Sequence, residues 1–183
     1  MTAPCPDPAG KAALRARLLA DRLAVPPEVS RSEAVALAGW LAALSGTVCA
    51  YVPVGSEPGS AAMLDVLVEA GCTVLLPVVV ARSPLDWARY TGPSELAPAR
   101  FGLLEPRGPR LGPQAIAAAA TVLVPALAVD RRGVRLGQGG GYYDRSLPLA
   151  DPAADLVAVI RDPELVDALP REPHDILMTA ALT

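Results

Sequence analysis

From Thr47 to Val80 the chain spells strand, loop, helix, strand, and no other feature limits its fold as strongly. Thr47–Val54 (TVCAYVPV) is apolar and β-rich and ends at Gly55. A helix follows from about Ala61 to Ala70, stopped by Gly71, and Thr73–Val80 (TVLLPVVV) is a second apolar strand. Two strands joined through a helix pair in parallel by default. The fold expected is α/β: a three-layer α/β/α sandwich on a mostly parallel, Rossmann-like sheet, with ligands at the loop ends of the strands.

The remaining segments fit around this unit. Asp7 to about Val25 reads as a helix, with Asp7 as cap, Pro8 in the first turn and Leu14, Leu18, Leu19 and Leu23 at helical spacing. Pro26-Pro27 breaks it. Ser30–Leu44 reads as a second helix burying Val35, Leu37, Ala38, Leu41 and Leu44, and Gly46 ends it. Asp86–Tyr90 alternates enough for a strand, with Trp87 and Tyr90 either packed at a sheet edge or lining a cleft; packing is favoured. Leu96–Gly112 reads as a surface loop, Gln114–Ala120 as a short helix, Thr121–Leu127 as a strand and Asp130–Gly133 as a turn. Tyr142–Leu149 is expected as a helix, Asp155–Ile160 as a strand, Pro163–Leu169 as a short helix, Leu169–Asp175 as a loop and Ile176–Leu182 as an edge strand. The 183 residues contain no repeat and no low-complexity linker, which predicts one domain over residues 1–183.

Composition excludes several classes of function. A formal charge of −3 leaves no basic footprint for nucleic acid. The longest apolar run, Ala115–Val129, is shorter than the ~18 residues a membrane span needs, and Pro125 interrupts it. Met1–Gly10 has no basic stretch followed by an apolar one, so no secretory signal is read there. Cys5, Cys49 and Cys72 are odd in number and lack CxxC spacing, which fits free thiols in a reducing cytoplasm. His174 is the only histidine, so multi-histidine metal sites and acid–base schemes are excluded, and no Gly-x-Ser-x-Gly elbow supports a serine triad.

The densest chemistry lies in Leu136–Arg145 (LGQGGGYYDR). Four glycines in five positions let the backbone approach a ligand without Cβ clashes. Consecutive free N–H groups ahead of a helix form a nest for phosphate oxygens. Arg135 and Arg145 flank the loop and can complete the charge, and Asp144 can hold a divalent cation bridging the phosphates. The alternative is an ordinary glycine-rich turn, since Walker and dinucleotide spacings are absent. Three further positions stay open between surface and site. Lys11, the only lysine, and Arg15 stand one turn apart, either as a solvated basic face or as a phosphate contact. Glu57 lies in the loop after the first strand, where open α/β sheets put ligands, and His174-Asp175 precede the last strand.

Arg135–Asp144 closely resembles the nucleotide-binding signature Arg-Leu-Gly-x-Gly-x-Gly-Tyr-Tyr-Asp of the 5-formyltetrahydrofolate cyclo-ligase family, without a gap. Phe101–Pro106 resembles that family's Phe-Gly-Ile-x-Glu-Pro element, in which Glu105 is expected to cap a turn. The resemblance runs over nearly the whole chain. It implies ATP contacts from Lys11, Arg15, Arg135, Leu136, Gly137, Gln138, Gly139, Gly140, Gly141, Tyr142 and Tyr143, with Lys11, Arg15 and Tyr142 catalytic. It implies reduced-folate contacts from Val52, Glu57 and Gln138–Tyr142, and magnesium at Asp144 and Asp175. Ser60 and Thr179 depart from the family's threonine and second aspartate. The implied reaction is ATP- and Mg²⁺-dependent closure of 5-formyltetrahydrofolate to 5,10-methenyltetrahydrofolate by a cytoplasmic monomer, releasing ADP and phosphate. Two rival readings stand beside it: a paralogue of the same fold using ATP on another small molecule, and a catalytically silent folate- or nucleotide-binding module.

Overall fold

The computed structural model describes residues 8–183, so the expected Asp7 cap and Cys5 lie outside the described residues. Helices α1 (Pro8–Leu23) and α2 (Pro27–Leu41) come first. The unit β1 (Thr47–Cys49), α3 (Ala62–Glu69), β2 (Thr73–Val78) follows, and β3 (Asp86–Arg89) returns beside β2. A hairpin of β4 (Leu96–Pro98) and β5 (Leu104–Pro106) leads to a 3₁₀ segment at Pro113–Ala118 and then to β6 (Thr121–Pro125). A second hairpin, β7 (Ala128–Asp130) with β8 (Arg135–Leu136), delivers the glycine loop to α4 (Tyr142–Ser146). Strands β9 (Asp155–Val159), β10 (Leu165–Val166) and β11 (Ala180–Leu182) complete the chain.

The central sheet has the order β11-β9-β6-β1-β2-β3, parallel except for β3 at its edge. Successive side chains point to opposite faces, and the sequence uses both. Val48, Val74, Leu76, Leu123, Val157 and Val159 meet Leu37 and Leu41 of α2 and Met63, Leu64 and Leu67 of α3. Cys49, Leu75, Val122, Val124, Leu156 and Ala158 meet Trp87, Ile116 and Leu147 on the other face. A third cluster packs Leu18 of α1 against Leu127, Val134 and Leu136, beside a small sheet β10-β7-β8. The α/β sandwich is as expected, and Trp87 and Tyr90 are core residues. Among the described residues no helix is long and apolar enough to cross a membrane.

Gly71 ends α3 as its capping role demands. It sits at φ +85°, its N–H bonds to Val68 O, and Cys72 N–H bonds to Leu67 O, a Schellman closure. Other boundaries moved. The first strand leaves the ladder after Cys49, with Ala50 N–H still bonded to Leu75 O. Pro53 has no N–H to give, and that of Val54 is taken by Glu57. The expected helix Pro163–Leu169 is instead a 3₁₀ turn at Asp162–Glu164 followed by β10, which pairs with β7. Leu96–Gly112 is no featureless loop but contains the β4–β5 hairpin, and Glu105 accepts Val79 N–H at 2.8 Å, fastening it to the end of β2. Val35, expected inside, is 73% exposed because α2 turns its Leu37–Leu41 stripe inward. On α1, Leu19 and Leu23 face outward, and the inward row is Lys11, Arg15, Leu18 and Arg22.

Candidate active site

The chain runs from β1 to β2 and β3 on one side of the sheet, then crosses to β6, β9 and β11 on the other. The reversal falls between β1 and β6, and ligand crevices form beyond the carboxyl ends of strands at such a point. Tyr51 and Val52 leave β1 there, and Pro125 and Ala126 leave β6.

The hairpin β7–β8 aims the glycine loop into this crevice, and Asp130 holds the hairpin. Its buried carboxylate accepts the N–H groups of Arg132, Val134 and Leu169 at 2.9–3.0 Å and the Arg132 guanidinium at 2.7 Å. Burial pushes this carboxyl up, but those bonds outweigh it and hold it below the usual carboxylate range. Gly133 turns the hairpin at φ +85°, where a Cβ would collide with the Met178 carbonyl. The loop then ends at Gly141, whose φ of +67° starts the five-residue α4.

Arg135 and Arg145, expected to complete the charge around a phosphate, also brace the loop. Arg135 pairs with Asp144, reaches Pro125 O at 3.4 Å and lies 5.8 Å from the Tyr143 ring centre. Arg145 donates to Ser83 O and Gly140 O and stands 5.0 Å from the Tyr142 ring centre. The N–H groups of Gln138–Gly141 have no acceptor among the described residues.

The loop divides two cavities. One, of about 270 Å³, is lined by Lys11, Arg15, Asp144, Glu172, His174 and Asp175. Arg15 Nε donates to Gly137 O at 2.9 Å, and Lys11 Nζ pairs with Glu172 at 2.8 Å. That pair holds the Glu172 carboxyl below its usual range. Asp175 accepts Glu172 N–H at 2.7 Å, and His174 Nε2 is 3.3 Å from Glu172 Oε2. Thr179 does not face this cavity; its hydroxyl accepts Leu156 N–H. The other cavity, of about 400 Å³, has apolar walls from Val52, Leu85, Leu103, Tyr142 and Tyr143. Arg135, Gly137, Gly139 and Asp144 line both.

Glu57 is the half-buried carboxylate in the larger cavity. Its Oε2 accepts Val54 N–H at 2.9 Å and its Oε1 the Gln138 side-chain amide at 3.0 Å. Desolvation raises its pKa, against the opposing pull of the Val54 bond, the Arg22 charge and the Gln138 bond. Burial also raises Tyr143 well above an ordinary phenol, and its hydroxyl has no partner among the described residues. Glu172 was missed by sequence reading, since it joins Lys11 across 161 positions. So was Arg22, although its spacing from Lys11, Arg15 and Leu18 gives the signal: all four share one helix face.

Comparison with known proteins fits this fold. The model of the 5-formyltetrahydrofolate cyclo-ligase family matches residues 7–183. A 5-formyltetrahydrofolate cyclo-ligase of Mycolicibacterium smegmatis is 54% identical, covering 97% of this chain and 95% of its own. The solved 5,10-methenyltetrahydrofolate synthetase of Aquifex aeolicus superposes with a TM-score of 0.74 at 27% identity, covering 93% of this chain and 88% of that one. That of Mycoplasma pneumoniae, at 19% identity, shares the fold with a TM-score of 0.73 over 93% of this chain and 96% of its own. The chain belongs to the 5-formyltetrahydrofolate cyclo-ligase family.

Proposed function

We propose that this enzyme closes 5-formyltetrahydrofolate to 5,10-methenyltetrahydrofolate at the expense of ATP, acting as a single-domain monomer in the cytoplasm. One observation carries the reading: a glycine loop forms the shared wall of a cavity holding Lys11 and Arg15 and a larger apolar cavity holding Glu57. Ring closure needs N10 to attack the N5-formyl carbon and expel its oxygen, which is a very poor leaving group as oxide. Transfer of the ATP γ-phosphoryl group to that oxygen gives an iminophosphate, from which phosphate departs as N10 closes the ring. Such a transfer depends on positioning and charge neutralisation.

In this reading Lys11 and Arg15 meet the phosphates, and the free N–H groups of Gln138–Gly141 cradle them. Lys11 exchanges Glu172 for a phosphate oxygen. Leu136 shapes the nucleotide side of the loop, while the rings of Tyr142 and Tyr143 wall the larger cavity at the loop's other edge, with Tyr142 against the reacting groups where nucleotide and folate meet. Glu57 accepts the pterin's 2-amino and ring N–H donors side by side, a pairing that suits a carboxylate, and Val52 gives apolar contact. Magnesium fits the donor set as a cation carried in on the triphosphate. Among the described residues no group of three or more His, Cys, Asp or Glu is arranged to hold a metal. Asp144 and Asp175 each have one oxygen engaged by Arg135 or by Glu172 N–H and one oxygen left for a ligand. Bound there, the ion would neutralise phosphate charge, and such ions commonly take one or two carboxylates plus substrate phosphates.

Purified protein given 5-formyltetrahydrofolate, ATP and magnesium should generate the near-ultraviolet absorbance of methenyltetrahydrofolate, and no absorbance should grow without ATP. Binding of ATP with no response to the folate would transfer the case to a paralogue with another substrate. Binding of either ligand without turnover would leave a silent module.

A further inference from the structure

Two buried arginines that line neither cavity connect them. Arg22, on the same face of α1 as Lys11 and Arg15, donates through Nε and Nη2 to both oxygens of Glu164 at 2.5 and 2.7 Å. Its Nη2 also reaches the carbonyl of Ala126, a wall residue of the larger cavity, at 2.5 Å. Glu164 Oε2 accepts Arg161 N–H at 2.8 Å. The Arg161 side chain then spreads between two elements: Nε donates to Glu33 of α2 at 2.9 Å and Nη1 to the Ser56 carbonyl at 2.8 Å.

Ser56 immediately precedes Glu57. The turn that presents Glu57 is small: Gly55 lies at φ +60°, Glu57 N–H bonds to Val54 O, and Val54 N–H bonds back to the Glu57 carboxylate. Among the described residues Arg161 is the only donor to the Ser56 carbonyl. Buried ionic networks are often no more stabilising than apolar residues of the same volume, so stability alone does not account for this one. A guanidinium fork is suited to fixing two acceptors in a set geometry, which the single ammonium of lysine does not do.

We propose that Arg161 is a positioning residue for Glu57. It fixes the Ser56–Glu57 peptide and so the direction of the carboxylate, and through Glu164 and Arg22 it ties that turn to the helix bearing Lys11 and Arg15. Side-by-side acceptance of two donors tolerates errors of only about 0.5 Å and 10–20°, so a loosened turn weakens folate binding while the chemistry at the loop continues. The proposal rests on the reading that Glu57 receives the folate.

The test is steady-state kinetics on a double-mutant cycle of Arg161→Met and Glu57→Gln, with Arg161→Lys alongside. Arg161→Met should raise KM for 5-formyltetrahydrofolate roughly 10-fold, with kcat and KM for ATP within about 2-fold of wild type, and Arg161→Lys should recover part of that loss. In the Glu57→Gln background the same change should add less than about 2-fold, because the group it positions is gone. Independent, multiplying losses, or an equal rise in KM for ATP, would overturn the proposal and leave Arg161 a fold residue. Should Arg161→Met fail to fold, Glu33→Ala decides, since alanine is the best helix former and Glu33 is partly exposed. It should raise folate KM about 3-fold, and an unchanged KM would overturn the proposal. If Glu57→Gln itself leaves folate KM unchanged, the folate role of Glu57 fails first and the positioning role falls with it.

Discussion

On the proposed reading Glu57 is reserved for a ligand, and its titration separates that role from service to the fold. Its carboxyl is raised by desolvation, so the folded protein holds this proton more tightly than the unfolded chain. The group therefore favours folding as pH falls through its raised pKa and opposes it near neutrality. Glu57→Gln should accordingly leave ligand-free thermal stability at pH 7 unchanged or slightly higher. The same substitution turns an acceptor into a donor facing the pterin's donors and should weaken folate binding by about 2–4 kcal/mol, roughly 30- to 1,000-fold. Wild-type folate affinity should fall below the raised pKa as the carboxylate protonates, and that limb should vanish in the mutant. Calorimetric titration with folate from neutral to mildly acidic pH measures both effects, and a mutant that keeps the acid limb would return Glu57 to a structural role. On the same reading Lys11→Ala removes one phosphate contact, for which a roughly 10²–10³-fold loss of kcat/KM is the scale. The protein should remain folded, because the partner Glu172 is itself partly exposed. Full activity in the folded mutant would leave Lys11 as only the partner of Glu172. The places of Lys11 and Arg15 on one helix face and of Glu57 after the first strand were legible because helix spacing and strand-loop position are local, whereas their expected roles came only from the family resemblance. Glu172 was not, because nothing local joins positions 11 and 172.

At the scale of elements, the sequence told the parallel core well and its short accessories poorly. Thr73–Val78 and Asp155–Val159 are apolar on both faces because both faces are covered, so periodicity and composition agree. Strands β7, β8 and β10 have only two or three residues each, too few to show a period, and are formed by tertiary partners. Asp130 marks the place. Read as the start of a turn, it is the buried acceptor that ties the hairpin to Leu169. Asp130→Asn should lower stability by about 2–4 kcal/mol, since N–H groups of Val134 and Leu169 lose a charged acceptor. Because its pKa is depressed in the folded state, its contribution is present above the unfolded pKa of ~3.9 and is lost as pH falls through the folded value. Urea titrations at pH 7 and pH 3 should show the mutant's deficit shrinking in acid. A deficit that stays constant would assign the loss to packing.

For the whole molecule, the reversal of strand order between β1 and β6 opens one crevice, and the glycine loop splits it into a charged half and an apolar half. On the proposed reading a cation shared between Asp144, Asp175 and the triphosphate would sit in the charged half, which Asp175 lines and Asp144 borders from the shared wall. Asp144→Asn keeps the shape of the side chain but removes the anionic ligand a hard cation prefers. Magnesium titration of activity should then shift to higher concentration with folate affinity little changed, and Asp175→Asn should act in the same direction more weakly. A wild-type magnesium curve in Asp144→Asn would exclude it as a ligand.

If the γ-phosphoryl group crosses the loop to the formyl oxygen, isotope transfer reports it directly. With 5-formyltetrahydrofolate labelled with ¹⁸O in the formyl group, one turnover in unlabelled water should yield inorganic phosphate carrying one ¹⁸O atom, read by mass spectrometry. Methenyltetrahydrofolate formed with unlabelled phosphate, the label having passed to water, would contradict the account.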